Sequence, residues 1–138
     1  MAKVPVLMRE DKVQEELTAL LNSFARNDIC WWCCPNGDWR PPQVGARLKR
    51  QGVRPGASDM MFVISGVFHG LELKTETGTQ SESQFAFQQL LERAGGVYHI
   101  ARGLREAIAV LQKLGVFRVD ISSAAERRLA RYDTLWTV

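Results

Sequence analysis

Two β-rich runs on either side of a turn dipeptide restrict this chain more than any other feature. Residues 59–64 read Asp-Met-Met-Phe-Val-Ile, residues 67–74 read Val-Phe-His-Gly-Leu-Glu-Leu-Lys, and Ser65-Gly66 separates them. Apolar runs joined by two turn residues form a hairpin. A two-residue loop makes Ile64 face Val67, and every later pair follows from that one, so Asp59 stands opposite Glu72. Strand side chains alternate, which puts Lys74 on the face of Glu72 and sends Leu71 and Leu73 to the other with Met60 and Phe62.

Directly opposed residues of an antiparallel pair have Cβ atoms roughly 4.5–5.5 Å apart. Two carboxylates at about 5 Å repel by roughly 3 kcal/mol at an effective dielectric near 20, so something must offset them. A divalent cation does so most economically. Two carboxylates completed by water and phosphate oxygens are what Mg²⁺ or Mn²⁺ accepts, and a lysine beside the ion can lower the pKa of an attacking water or stabilise charge building on phosphorus. The plainer alternative is a surface Glu-Lys pair with an unrelated Asp, because acid-x-Lys triplets are common in strands.

The rest of the chain supplies the layers around such a hairpin. Val13, Leu17, Leu20, Leu21 and Phe24 recur at spacings of three and four, which predicts an amphipathic helix over residues 10–26. Glu10 and Gln14 fall beside its apolar stripe. Residues 29–34 (Ile-Cys-Trp-Trp-Cys-Cys) read as a strand ending at Pro35-Asn36-Gly37. Residues 35–58 hold four of the five prolines and read mostly as loop, with Arg40, Arg47, Lys49, Arg50 and Arg54 against one acid, Asp38. Ser81-Glu-Ser-Gln84 is a capping box that opens a helix stopped at Gly95-Gly96, and that role alone explains a Gln at 84. Residues 97–101 predict a strand and residues 104–114 a helix ended by Gly115, with a further helix from Ser123 paired with Glu126. The order α-β-β-β-α-β-α implies an α/β fold, a mixed sheet with helices on its faces. At 138 residues the chain buries roughly 68–70% of its unfolded surface and needs no disulfide or structural metal to hold one core.

Four motifs together resemble a known family. Residues 52–59 (Gly-Val-Arg-Pro-Gly-Ala-Ser-Asp), Gly70-Leu-Glu72-Leu-Lys74, Gly78-Thr-Gln-Ser81-Glu-Ser-Gln84 and Gly95-Gly96-Val-Tyr98 look like the virus-type replication-repair nuclease (VRR-NUC) domain of the PD-(D/E)XK nuclease superfamily. The likeness extends through Glu10 with Gln14 and Pro35-Asn36 with Arg40, covering about residues 10–115. It implies a restriction-endonuclease-like core over residues 1–115, with 116–138 as an extension packed on or trailing the same domain. Asp59, Glu72 and the Leu73 backbone carbonyl would hold Mg²⁺ or Mn²⁺, Lys74 would serve the water nucleophile, and Gln84 and Glu10 would orient the water or the metal shell. The implied activity is metal-dependent endonucleolytic hydrolysis of structured DNA, branched, flapped or junction, during replication, repair or recombination. Phage stand-alone members are similar to Holliday-junction resolvases that work as homodimers. Ser58 stands where a proline usually precedes the aspartate, and Gly37-Asp38 replaces the usual Glu-Gly after Asn36. Two alternatives stay open: a non-catalytic nucleic-acid-binding module on the same fold, and a nuclease subunit active only with a partner.

Arg40, Arg47 and Arg54 are the expected phosphate contacts, with Trp39 beside them. Trp31 and Trp32, on opposite faces of one strand, are expected to pack, although aromatics can also stack on unpaired bases. Cys30, Cys33 and Cys34 suggest a zinc half-site, but on a strand 30 and 34 share a face that 33 does not, and only His69 and His99 remain as partners. Reduced, packing cysteines are the better reading. A net charge of +3 is compatible with a polyanion but too small to demonstrate one. No apolar run approaches membrane-spanning length and the N-terminal run is too short for a secretory segment, so a cytoplasmic protein without membrane partners is expected.

Overall fold

The computed structural model describes residues 4–5, 9–35, 40–133 and 136–137. In chain order these form β1 (Val4–Pro5), α1 (Glu10–Phe24), β2 (Cys30–Cys33), α2 (Pro42–Arg50), β3 (Met60–Ile64), β4 (Val67–Lys74), α3 (Glu82–Arg93), β5 (Val97–Arg102), α4 (Gly103–Leu114), α5 (Ser122–Asp133) and β6 (Trp136–Thr137). The main sheet has the order β2-β3-β4-β5. Its first three strands are antiparallel and β5 runs parallel to β4. β1 and β6 pair separately as a short antiparallel ribbon.

The hairpin turn is as tight as the sequence predicts. Ser65 and Gly66 both have positive φ, 50° and 78°, the requirement of a two-residue turn whose twist matches that of the strands. Ile64 pairs with Val67, and the ladder continues to Met60 opposite Leu71. One step further the same register brings Asp59 level with Glu72.

One face of the sheet carries the core. Met60, Phe62, Leu71, Leu73 and Ala101 are wholly buried against Val13, Leu17, Leu20 and Leu21 of α1 and Ala107, Ile108 and Leu111 of α4, and Ile121, Ala125 and Leu129 close it from the C-terminal side. The opposite face bears Met61, Gly70, Glu72, Lys74 and Tyr98, with α3 laid against β5. Among the described residues no helix is long and apolar enough to cross a membrane.

Three expectations need correction. Residues 35–58 are not mostly loop, because α2 occupies 42–50. Pro42 at its first turn is preset for helical φ, and Arg47, Lys49 and Arg50 in its last turn complement the helix dipole. Only Val44 and Leu48 mark an apolar stripe, too little for periodicity to detect. Second, the last helix starts at Ser122, whose amide and hydroxyl both donate to Asp120 Oδ1 at 2.9 and 2.6 Å. Glu126 makes no capping box there; it pairs with Arg105 at 3.3 Å. Third, β2 is an edge strand, so only one face of it meets the core. Trp31 packs there, whereas Trp32 is 40% exposed.

Candidate metal centre and its surroundings

Three elements bring the carboxyls together: the bend before β3, the C-terminal half of β4 and the first turn of α3. Asp59 follows Ser58, which is fully buried. Residue 70 must lack a side chain for this, since a β-carbon there would come within 2.4 Å of Ser58 Oγ. Because β3 pairing has ended, Asp59 Oδ2 takes the place of a ladder acceptor and receives the Leu73 N–H at 2.8 Å. The Asp59 and Glu72 carboxyls lie within hydrogen-bonding reach of each other.

Glu72 is only 2% exposed. Its Oε1 accepts a 2.6 Å hydrogen bond from Gln84 Nε2, while its Oε2 is buried with no N–H or O–H donor among the described residues. Burial above all, and then the Asp59 charge, push the Glu72 carboxyl up to about 8, against the pull of Lys74. Burial likewise raises Asp59. Such a pair resists carrying two charges at once and shares a proton unless another positive charge replaces it.

Lys74 is buried, at 8% exposure, and its charge acts on both carboxyls. Glu10 lies exposed in the first turn of α1, yet its charge also reaches both acids. The structure therefore brings Asp59, Glu72, Lys74 and Gln84 into one constellation and sets Glu10 at its rim. Gln14 goes elsewhere: with Thr18 it bonds the Cys33 thiol, which burial pushes up.

Gln84 reconciles two readings of one residue. Its Oε1 accepts the Ser81 N–H at 2.8 Å and its backbone N–H donates to Ser81 Oγ at 3.2 Å, a complete capping box. The amide's other end is left to serve Glu72. Gly56, with φ of 80°, secures this helix end from the opposite side. A β-carbon on it would lie 2.3 Å from the Ser83 backbone carbon and oxygen, so the loop before Asp59 rests directly on the turn that aims Gln84.

Does this set suit a divalent cation? Among the described residues no three His, Cys, Asp or Glu side chains converge as a metal cage. Two carboxyls, one with a buried oxygen that no donor satisfies, nevertheless match a small hard ion that keeps water and substrate oxygens as its other ligands. The donors are all oxygen, which suits Mg²⁺ or Mn²⁺ rather than a thiolate-seeking metal.

The other sequence candidates lie further out. Arg47 and Arg54 are exposed on α2 and the loop after it. Arg40 is half-buried and donates to the Pro35 carbonyl at 2.8 Å, which makes it first a loop clasp. Trp39 lies outside the described residues, as does Asn36. His69 Nδ1 and His99 Nε2 stand 3.0 Å apart on the core face, both pushed below the usual histidine range by burial. Cys30, Cys33 and Cys34 are free thiols.

Compared with solved structures, the chain superposes on one described as a "VRR_NUC domain protein" with a TM-score of 0.61 over 82% of this chain and 93% of the other, at 22% identity. The chain has the fold of a VRR_NUC domain. No protein-family model matches the sequence, and no curated protein does. The mixed four-stranded sheet with helices on both faces is thus the restriction-endonuclease-like arrangement. The VRR_NUC fold gives the acid pair its setting at the C-terminal end of β4, beneath the first turn of α3.

The sequence left Tyr98 without a role. Register sets it beside Gly70 on the face of Glu72. Its hydroxyl accepts a 3.3 Å bond from Gln80 Nε2, itself bonded to Gln88 Oε1 at 2.9 Å. Burial first, and then the charges of Glu72 and Asp59, push the phenol up to about 12. The available signal was positional: a strand on the far side of the acids, read in parallel register, delivers its alternate residues to the same face.

Proposed function

We propose that this chain is a VRR-NUC nuclease: a divalent-metal-dependent endonuclease that hydrolyses phosphodiester bonds in branched, flapped or junction DNA. The observation that carries the reading is the Asp59–Glu72 pair, half-buried at Asp59 and buried at Glu72, mutually destabilising and short of one donor, with Lys74 beside it. A fold that gained nothing from this pair would lose little by replacing either acid with an uncharged residue.

In this reading Asp59 and Glu72 hold Mg²⁺ or Mn²⁺ together with the Leu73 backbone carbonyl, and Glu10 contributes at the rim. The ion, when bound, would lower the pKa of a coordinated water and neutralise charge on the scissile phosphate. Every other task falls to the chain. Leu73 N–H fixes one Asp59 oxygen and Gln84 one Glu72 oxygen, so each carboxyl presents its remaining oxygen in a set direction. Lys74 supplies a fixed positive charge beside the reacting water and the phosphorane-like charge that develops. Arg47, Arg54 and the rest of the basic stretch engage flanking phosphates in a sequence-independent way, and Trp39, next to Arg40 in the sequence, joins them as a DNA contact. The same reading includes a homodimer and a reducing, cytoplasmic setting.

Purified chain is incubated with a four-way junction, a flap and a linear duplex, with Mg²⁺, Mn²⁺ or chelator. The proposal predicts cutting with either metal, none in chelator, and none for Glu72→Ala although DNA binding survives. Binding without cutting under every condition would favour the non-catalytic module. Metal binding with cutting only after adding a partner extract would favour the subunit reading. Sedimentation at micromolar concentration tests the dimer separately.

A further inference from the structure

The exposed tryptophan of the edge strand lies on the same face of the sheet as the acid pair. Across the sheet, Trp32 of β2 pairs with Met61 of β3, Met61 with Gly70 of β4, and Gly70 with Tyr98 of β5. The next row on that face is Cys34, Asp59 and Glu72, and the Cys34 N–H bonds the Asp59 carbonyl at 3.1 Å. Trp32 therefore stands one row from the acid pair and on its face. Its indole meets Phe68 edge-on, with centroids 5.9 Å apart and planes at 71°. By alternation Phe68 also shares the face of Glu72.

Two facts separate Trp32 from a core aromatic. It is 40% exposed, whereas Trp31, its neighbour on the other face, packs into the core. Its plane is also held by Phe68, so an incoming planar group finds a ring already oriented and little rotamer freedom is lost on contact. The charge along the chain points to one class of occupant. Residues 40–54 carry five cations, Arg40, Arg47, Lys49, Arg50 and Arg54, and no acid, and this stretch leads by way of Gly56 straight to Asp59. A flat apolar ring one row from the acid pair, in a chain whose sequence leading to Asp59 is basic, fits a nucleobase whose own backbone is anionic. In a duplex the base faces are stacked on one another, so only an unpaired base can reach the ring.

We infer that Trp32, braced by Phe68, is a stacking platform for an unpaired base of the strand being cut, so that the preferred substrate carries a single-stranded segment next to the scissile bond. The inference rests on the nuclease reading above and narrows its substrate class from structured DNA in general to DNA with unpaired nucleotides at the cleavage point.

Binding separates it from that reading. Anisotropy of a labelled oligothymidylate and of a linear duplex is measured in chelator at one ionic strength, for the full chain, Trp32→Ala and Trp32→Phe. Trp32→Ala should weaken the oligothymidylate by roughly tenfold or more and leave the duplex within twofold, and Trp32→Phe should recover most of the loss. With Mn²⁺, a flap bearing one abasic residue, moved along the single strand, should show a single position at which the wild type loses what Trp32→Ala loses, and at which the variant loses nothing further. Equal oligothymidylate binding by wild type and Trp32→Ala, or equal losses on both DNAs, would overturn the platform. So would a drop in sedimentation mass in Trp32→Ala, which would assign the ring to a contact between copies. A wild type that binds through Trp32 and cuts nothing would instead refute the nuclease reading and leave the platform standing.

Discussion

Glu72 is where the account is most exposed to experiment at the scale of single residues. Its folded-state pKa, about 8, lies above the ordinary 4.5. The contribution it makes is therefore complete below about pH 4.5 and is lost as pH rises through about 8, a loss of the order of a few kcal/mol in metal-free protein. Thermal melts in chelator should fall from pH 5 to pH 8, and Glu72→Gln should flatten that fall and melt higher than the wild type at pH 8 while abolishing cutting. A wild-type melting profile independent of pH over this range would contradict it. Gln84 offers a second check, because Glu also completes a capping box. Gln84→Glu should keep the melting temperature within a few degrees, yet lower cleavage at least tenfold by putting a carboxylate against Glu72. The facing of residues 59 and 72 was legible in the sequence because a two-residue turn leaves one register. The double duty of Gln84 was not, since a cap that satisfies a helix end gives no sign of where the other half of its amide points.

Among elements, the first turn of α3 and the loop before β3 act as one unit, joined through Gly56. Gly56→Ala combines a side chain at φ 80° with a clash against the Ser83 backbone. It should cost roughly 2 kcal/mol or more of stability and reduce cleavage beyond what the lost stability explains, because Gln84 moves with the turn. Calorimetry and single-turnover cleavage on the same preparation test this, and a variant that is destabilised but fully active would sever the link. Long periodic elements such as α1 and α4 could be read to within one or two residues. α2 could not, because nine residues with two half-buried apolar side chains give periodicity nothing to work on. Trp32 went astray for a different reason: alternation tells which residues share a face, but not whether the strand lies at the centre of the sheet or at its edge.

For the molecule as a whole, α5 decides whether residues 1–115 suffice. Ile121, Ala125 and Leu129 complete the core, and Glu16 of α1 accepts Arg128 Nη1 at 2.7 Å and the Tyr132 hydroxyl at 2.8 Å. Burial pushes Glu16 up, but these bonds outweigh it and hold the carboxyl below its usual range. Glu16→Ala should therefore cost about 2 kcal/mol, read as a lower urea midpoint at unchanged slope, and an unchanged midpoint would show the lock to be idle. Nothing in the sequence marked that lock, since its partners are separated by more than a hundred residues and each reads locally as a surface charge. The central claim, that Asp59 and Glu72 share a divalent cation, is tested most directly by Mn²⁺ titration followed by electron paramagnetic resonance at pH 8. The wild type should take up one tightly held Mn²⁺ per chain and Glu72→Gln none. Equal uptake by the two proteins, or none by either, would contradict the account.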